Sequence, residues 1–156
     1  MDTKQIIQSQ YISALAMLKQ VIVLCPAAFW DAPGNQDEFW RKSYHALFYT
    51  HLYLQSSEKD FIPWEKHHDP DGSMPFTKPE VLEYFSLVED QVLECVPAMD
   101  LEAESGFYWL PFSKMELQFY NIRHIQQHTG ELYERLGSHE NIKLDWVSTR
   151  SSKEQE

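Results

Sequence analysis

The sequence SKMELQFYNIRHIQQHTGELYERLG, residues 113–137, predicts one long helix. Ser113 and Glu116 have the spacing of a capping box, which satisfies free N–H groups at a helix start, and Gly137 is expected to end the helix. Between these signals the apolar residues recur every three or four positions and so share one face. They are Leu117, Phe119, Ile122, Ile125, Leu132 and Leu136. A helix with one apolar face needs other elements to cover it.

Three further segments have the same helical period and can supply that cover. They are residues 6–25, a second segment that ends before residue 56, and a third that ends at residue 97. Their start and stop signals are Asp2 with Gln5 and Pro26 for the first, Asn35 with Glu38 and Ser56 with Ser57 for the second, and Thr77 with Glu80 and Pro97 for the third. No clear alternating strand pattern is present. We therefore predict an all-α fold, a four-helix bundle.

The two later connections are long for a bundle. Residues 58–76 contain three prolines and several charges without any period, and a second irregular stretch runs through Gly106 and Pro111. We expect long loops between helices two and three and between helices three and four. A chain of 156 residues that is 43% hydrophobic is long enough for one core. The prediction is one domain over residues 1–147, followed by a polar tail at 148–156.

The composition indicates which kinds of partner and which cellular compartment to expect. The formal net charge of -11 repels a polyanion, so direct nucleic-acid binding is not expected. Cys25 and Cys95 are interpreted as buried, reduced thiols, because a domain of this size does not need a disulfide. The apolar run of residues 14–25 is interrupted by Lys19 and Gln20, so we expect no membrane span. A cytoplasmic protein is the prediction.

The most specific chemical feature is the pair His124 and His128 within the predicted fourth helix. Four residues apart, they lie about 40° apart on one face and one turn apart along the axis, where two imidazoles can bind one ion. The intervening residues lack the glutamate of a zinc-protease motif, so that class is not indicated. A ferritin-like site is not indicated either, because Glu65 and His68 form the only Glu-x-x-His and lie in a loop.

A metal ion needs a third ligand, and His45 is a better candidate for it than His51. It lies on the same face of the second helix as Phe48 and Leu52, whereas His51 lies about 240° further round the helix and should point elsewhere. A buried histidine on an apolar face needs a partner. Three neutral imidazoles leave a coordination position open, as in catalytic sites. One divalent transition metal is the expected cofactor; nickel and zinc are preferred, and iron and cobalt accept the same ligands.

Two segments resemble the signature segments of the DinB/YfiT-like superfamily. These are residues 40–54, where His45 precedes an apolar and aromatic run, and residues 123–132, with the pattern R-H-x-x-x-H-x-G-x-L. The resemblance implies a four-helix bundle, often a homodimer, with a metal on His45, His124 and His128. Some members of that family are transferases or isomerases that use a low-molecular-weight thiol. The substrate is then a small molecule that the sequence does not name.

Each candidate residue has an alternative interpretation. His124 and His128 could be a surface pair, and His45 a core histidine bonded to a carbonyl. His67 and His68 could form a second site or a lid, or belong to a solvated loop. Glu131 could orient a ligand imidazole from outside the ligand set, serve as a base, or be a solvated carboxylate. His139 is expected on the surface. Several aromatic residues could line a ligand pocket or could fill the core: Trp30, Trp40, Phe107, Tyr108, Trp109 and Phe112.

Three hypotheses for function follow from these residues. The first is a metalloenzyme of the transferase, isomerase or hydrolase class, in which the histidines are ligands only and the catalytic residues are unknown. The second is a non-catalytic protein that binds a metal or a small ligand, for example in a stress response. The third is a helical interaction module in which the histidines are incidental.

Overall fold

Helices form nearly all the regular structure of the chain. The structure, a computed structural model, describes residues 2–32, 38–70, 74–140 and 142–149. The α-helices in these ranges are α1 (Thr3–Leu24), α2 (Ala27–Trp30), α3 (Phe39–Leu54), α4 (Lys78–Ala98) and α5 (Lys114–Glu140). The same ranges contain no β-strand, only an isolated bridge between Glu104 and Ser113 and a 3-10 turn at Glu58–Asp60. The all-α fold is confirmed.

The four long helices share the main apolar core, and a second, smaller apolar cluster lies where α3 ends and α5 begins. Helix α5 contacts α1 and α3, and α4 contacts the same two helices. Helices α3 and α5 are antiparallel: Lys42, near the start of α3, reaches Glu131 in the second half of α5, whereas Tyr53, near the end of α3, accepts a hydrogen bond from Gln118 near the start of α5. Side chains from opposite halves of the sequence therefore meet midway along these two helices.

The apolar face predicted for α1 is confirmed. Five apolar residues that recur at three- and four-residue steps along this helix are at most 1% exposed: Ile7, Tyr11, Leu15, Leu18 and Ile22. The capping box at Asp2 and Gln5 is present, and the helix ends just before Cys25 and Pro26. Polar groups on this face are also paired, because the buried Tyr11 hydroxyl donates to Gln118 Oε1 at 2.7 Å. Helix α1 is therefore a central element of the core.

Helix α1 is also the one described helix with the length and composition of a membrane span. Of its most apolar window, 61% is buried inside the fold. A core helix and an N-terminal leader both fit this description.

The predicted start of α3 and the predicted end of α4 need correction. Helix α3 begins at Phe39 with Glu38 as an N-cap that makes no side-chain cap bond, so the predicted role of Glu38 inside the first turn is wrong; Asn35 lies outside the described residues. Helix α4 starts with the predicted Thr77 and Glu80 box but contains Pro97 and ends at Ala98. Proline has a helical φ, and in the last turn it removes only one helical hydrogen bond.

The end of α5 also differs from the prediction. The helix continues through Gly137 to Glu140, and among the described glycines only Gly106 has a positive φ, so Gly137 does not form the left-handed cap that was expected. At the start of α5, the backbone N–H of Glu116 donates to Ser113 Oγ at 3.2 Å, as the capping pair predicts. One predicted core residue, Phe119, is 50% exposed.

The predicted burial is confirmed for one of the two thiols and wrong for the other. Cys25 is buried, but Cys95 is only half-buried, and neither forms a disulfide. Beyond α5, the N–H of Asp145 donates to Gln20 Oε1 at 3.0 Å, so this part of the predicted domain contacts α1. Of the predicted polar tail, residues 150–156 lie outside the described residues.

Lys114 joins the two long segments between helices, of which the structure describes residues 55–70, 74–77 and 99–113. Its buried ammonium donates to the carbonyl oxygens of Gln55, Ser56 and Ser105 at 2.5, 3.0 and 2.6 Å. Beside this junction Gly106 has a φ of 85°, and a Cβ atom there would lie 2.0 Å from the Ser56 carbonyl oxygen. The two segments therefore approach so closely that only glycine fits at this position.

We predict opposite effects of alanine at two glycines. Gly106→Ala should lower the free energy of unfolding by at least about 2 kcal/mol, because the left-handed backbone and the close carbonyl both oppose a side chain. Gly130→Ala should raise it by about 0.5–1 kcal/mol, because Gly130 is inside α5 with nothing within 4 Å of an added Cβ. Urea unfolding of both variants measures the two changes. Equal stabilities would contradict the described contact.

Candidate metal centre

Three imidazoles from α3 and α5 converge on one point. The Nε2 atom of His124 lies 3.2 Å from Nε2 of His45 and 2.9 Å from Nε2 of His128. All three ligand atoms lie within 4.8 Å of one another, and no other such group of metal-ligating side chains is present in the described part of the chain. The residues predicted as ligands are thus brought together, although their binding of an ion stays a prediction.

The helix geometry explains this convergence. His124 and His128 lie one turn apart on α5, as their spacing predicted, and the antiparallel packing of α3 places His45 beside both rings. The Tyr49 ring, one turn after His45, packs against His45 and His124 with ring centroids 4.7 and 5.7 Å away. His45 is more exposed than the other two, which corrects its predicted burial and gives the cluster a side that faces solvent.

The donor set fits a transition-metal ion. An ion about 2.0–2.1 Å from each nitrogen, with tetrahedral angles, places ligand nitrogens about 3.3 Å apart, which is near the distances of His124 Nε2 from the Nε2 atoms of His45 and His128. Burial and the neighbouring His128 and His45 lower the pKa of His124 to about 4, so its ring is neutral at physiological pH. The Nδ1 atom of His124 is buried without a hydrogen-bond partner among the described residues. Its other nitrogen, Nε2, is the one in the cluster.

Glu131 lies where an orienting residue is expected. Its Oε2 atom accepts a hydrogen bond from His128 Nδ1 at 2.9 Å and another from Lys42 Nζ at 2.5 Å. Partial burial raises the pKa of Glu131, but the hydrogen bonds from Lys42, His128 and Gln127 outweigh it and lower the pKa to about 2. Since a carboxylate only accepts, Nδ1 of His128 carries a proton, and Nε2 is the ring nitrogen that faces the cluster.

Lys42 is a residue of the site that the sequence pattern does not single out. It lies one turn before His45 on α3, so the helical period could have placed it on the same face. A lysine on a helix is ordinarily a solvated charge, and nothing in the local sequence distinguishes this one. Its partner is 89 positions away along the chain, and this separation kept the contact out of the sequence pattern.

His51 points away from the cluster, as its position on the helix indicates. The ring is 6% exposed, and Nδ1 lies 3.1 Å from the Tyr84 hydroxyl oxygen on α4. Burial lowers the pKa of His51 to about 4. It therefore serves the packing of α3 on α4 and does not contribute to the cluster.

His67 and His68 also lie outside the cluster, and they are packed rather than solvated. Nδ1 of His67 is 2.5 Å from the Tyr44 hydroxyl oxygen, and its ring stacks against Tyr44 and Phe48. The His68 ring stacks on Phe76 with centroids 3.9 Å apart. The charged loop is therefore anchored on the aromatic side of α3.

The aromatic residues singled out from the sequence divide between core and surface. Trp30, Trp40 and Phe107 are buried, whereas Tyr108 is 89% exposed. A cavity of about 530 Å³ lies within residues 104–112 and is lined by Phe107, Tyr108 and Phe112 among others. This loop cavity contains none of the three clustered histidines.

No family model, curated protein or solved structure matches the chain. The resemblance to the DinB/YfiT-like superfamily therefore rests on the motif residues alone and stays a prediction.

The lowered pKa values predict acid sensitivity of the metal-free protein. Between pH 6.5 and about 4, unfolding exposes His51 and His124 to protonation that the folded chain resists, so stability is kept above this range and lost as the pH falls through it. At pH 5 we expect a loss of about 1–2 kcal/mol from His51 alone. Urea unfolding at pH 7.5 and 5.0 with a chelator measures it.

The variant His51→Gln isolates the contribution of this ring. Its loss of stability between the two pH values should be smaller than that of the unsubstituted protein, because one of the two resistant rings is gone. Identical losses would show that His51 is not protonated on unfolding in this range.

Proposed function

We propose that the protein binds one divalent transition-metal ion through His45, His124 and His128, within a four-helix bundle of the DinB/YfiT-like type. The observation that carries the proposal is the convergence of three Nε2 atoms from two helices within 4.8 Å. All three rings also contact neighbouring side chains, since His128 donates to Glu131 and Tyr49 packs against His45 and His124. Nickel and zinc are the ions we favour, and iron and cobalt suit the same ligands.

We further propose that the protein is a metalloenzyme that acts on a small molecule, as a thiol-dependent transferase, an isomerase or a hydrolase. The ion supplies Lewis-acid chemistry when bound. The three imidazoles are neutral ligands and leave a coordination position for a substrate. The exposed side of His45 gives access from solvent, and Tyr49 provides an aromatic wall beside two of the ligands. A low-molecular-weight thiol is the cosubstrate we propose, by resemblance to the family.

The alternative function is non-catalytic binding of a metal or small ligand, as in a stress response. The same cluster of three histidines would suit it. Substitution of His45 separates the two functions once a turnover is found. An enzyme loses that turnover together with its metal, whereas a binding protein loses only the metal.

The setting of this function is also a proposal. We place it in the cytoplasm, without direct contact with nucleic acid or membrane, which agrees with two unpaired thiols and a net charge of -11.

We predict a homodimer, because the family resemblance suggests one and several large apolar side chains on the helices are exposed, among them Phe119 and Val23. Light scattering at micromolar concentration should give twice the chain mass of 18.5 kDa. A monomer mass across the whole concentration range would contradict this prediction.

Metal analysis tests the proposed function. Protein made without an affinity tag and dialysed with nickel or zinc should retain about one ion per chain and become more stable, by about 2.7 kcal/mol at a free metal concentration 100 times Kd. His45→Ala and His128→Ala should each weaken binding at least tenfold, because each removes a ligand. The control His67→Gln removes a histidine that faces Tyr44 instead, and it should bind as the unsubstituted protein does. Absence of stoichiometric metal, or equal binding by all four proteins, would refute the site.

A further inference from the structure

Lys42 is an unusual lysine in this fold. Its side chain is only 11% exposed, whereas that of its partner Glu131 is 37% exposed, so the ammonium is the more enclosed member of the pair. Enclosing an ammonium is costly unless it is paired and hydrogen-bonded. The contact at 2.5 Å joins α3 to α5 beside the histidine cluster. Lys42 therefore contributes a charge to the interior edge of the candidate site.

One carboxylate oxygen receives both hydrogen bonds. Oε2 of Glu131 accepts from Lys42 and from His128 Nδ1, while Oε1 lies 3.4 Å from Gln127 Nε2. Such an arrangement holds the carboxylate against the outer side of the His128 ring. Without the lysine, the carboxylate keeps only the imidazole and an amide as described partners.

A Glu131 carboxylate that is not held by Lys42 can instead coordinate the metal ion. It lies less than one turn after His128 on the same face of α5, and carboxylate oxygens bind the same divalent ions as imidazoles do. A carboxylate that entered the ligand set would add negative charge and occupy the open position. The hydrogen bond from Lys42 opposes this outcome. It keeps Oε2 beside Lys42 and the Nδ1 atom of His128, whereas the cluster lies on the Nε2 side of that ring.

We propose that Lys42 is a positioning residue and determines the ligand set. It fixes Glu131 as the acceptor for His128 Nδ1 and keeps that carboxylate out of the metal coordination, so that three neutral imidazoles remain. The proposal rests on the proposed metal site and adds a specific role for a residue outside it.

The first test needs no metal. In metal-free protein, ¹⁵N NMR of the histidine rings should show His128 protonated on Nδ1, and Lys42→Met should lower the fraction of His128 that donates from Nδ1 to Glu131. The control Lys66→Met removes the same charge from an exposed pair with Glu83 and should leave His128 unchanged. An Nε2-protonated His128 in the unsubstituted protein would overturn the proposal even if Lys42→Met does not fold.

The second test uses cobalt(II), whose visible absorption depends on the number and type of its ligands. Lys42→Met should change the spectrum relative to the unsubstituted protein and Lys66→Met, because Glu131 joins the ligands. Adding Glu131→Gln to Lys42→Met should restore a three-imidazole spectrum. If Lys42→Met has the unsubstituted spectrum, or if the second substitution does not reverse the change, Lys42 does not control the ligand set. If neither the unsubstituted protein nor any variant binds cobalt, the proposed metal site is refuted. The NMR result alone then decides the role of Lys42.

Discussion

The antiparallel packing of α3 on α5 is the contact on which the candidate site depends. Polar side chains follow this interface along its length: the Lys42 and Glu131 pair at one end, the imidazoles in the middle, and the bond from Asn121 Nδ2 to the Thr50 carbonyl oxygen beyond them. Buried polar groups are costly when unpaired, so each of these pairs favours one alignment of the two helices. The apolar core supplies most of the stabilisation, and the polar pairs select which faces meet.

The electrostatic character of this interface follows from the same packing. His124 is half-buried between two other imidazoles, and both effects favour its neutral form. Glu131 is ionised at the edge, where an ammonium and an imidazole N–H surround it. A neutral His124 ring in the centre and a compensated charge at the rim form an environment suited to a cation, because the His124 lone pair is available there without protonation.

Local patterns predicted much of the fold and of the site. The capping boxes at Asp2 and Thr77 and the apolar face of α1 are properties of neighbouring residues, and they could be predicted from spacing. The pairing of His124 with His128 is local in the same sense. The contact of Lys42 with Glu131 depends on the tertiary packing of α3 against α5. The stop signals at Pro97 and Gly137 did not give the helix ends, because α4 and α5 continue to Ala98 and Glu140. No residue spacing encodes the contact between α3 and α5.

The junction at Lys114 has a consequence for how the chain tolerates change. Because this first residue of α5 holds carbonyl groups of both long segments, it fixes where α5 starts relative to the end of α3. Insertions in the middle of either segment can bulge outward and leave that start in place. One extra residue between Lys114 and His124 would instead turn both α5 histidines by about 100° around the helix axis. Homologous chains that keep this centre should therefore vary in loop length while the interval from position 114 to position 124 stays constant.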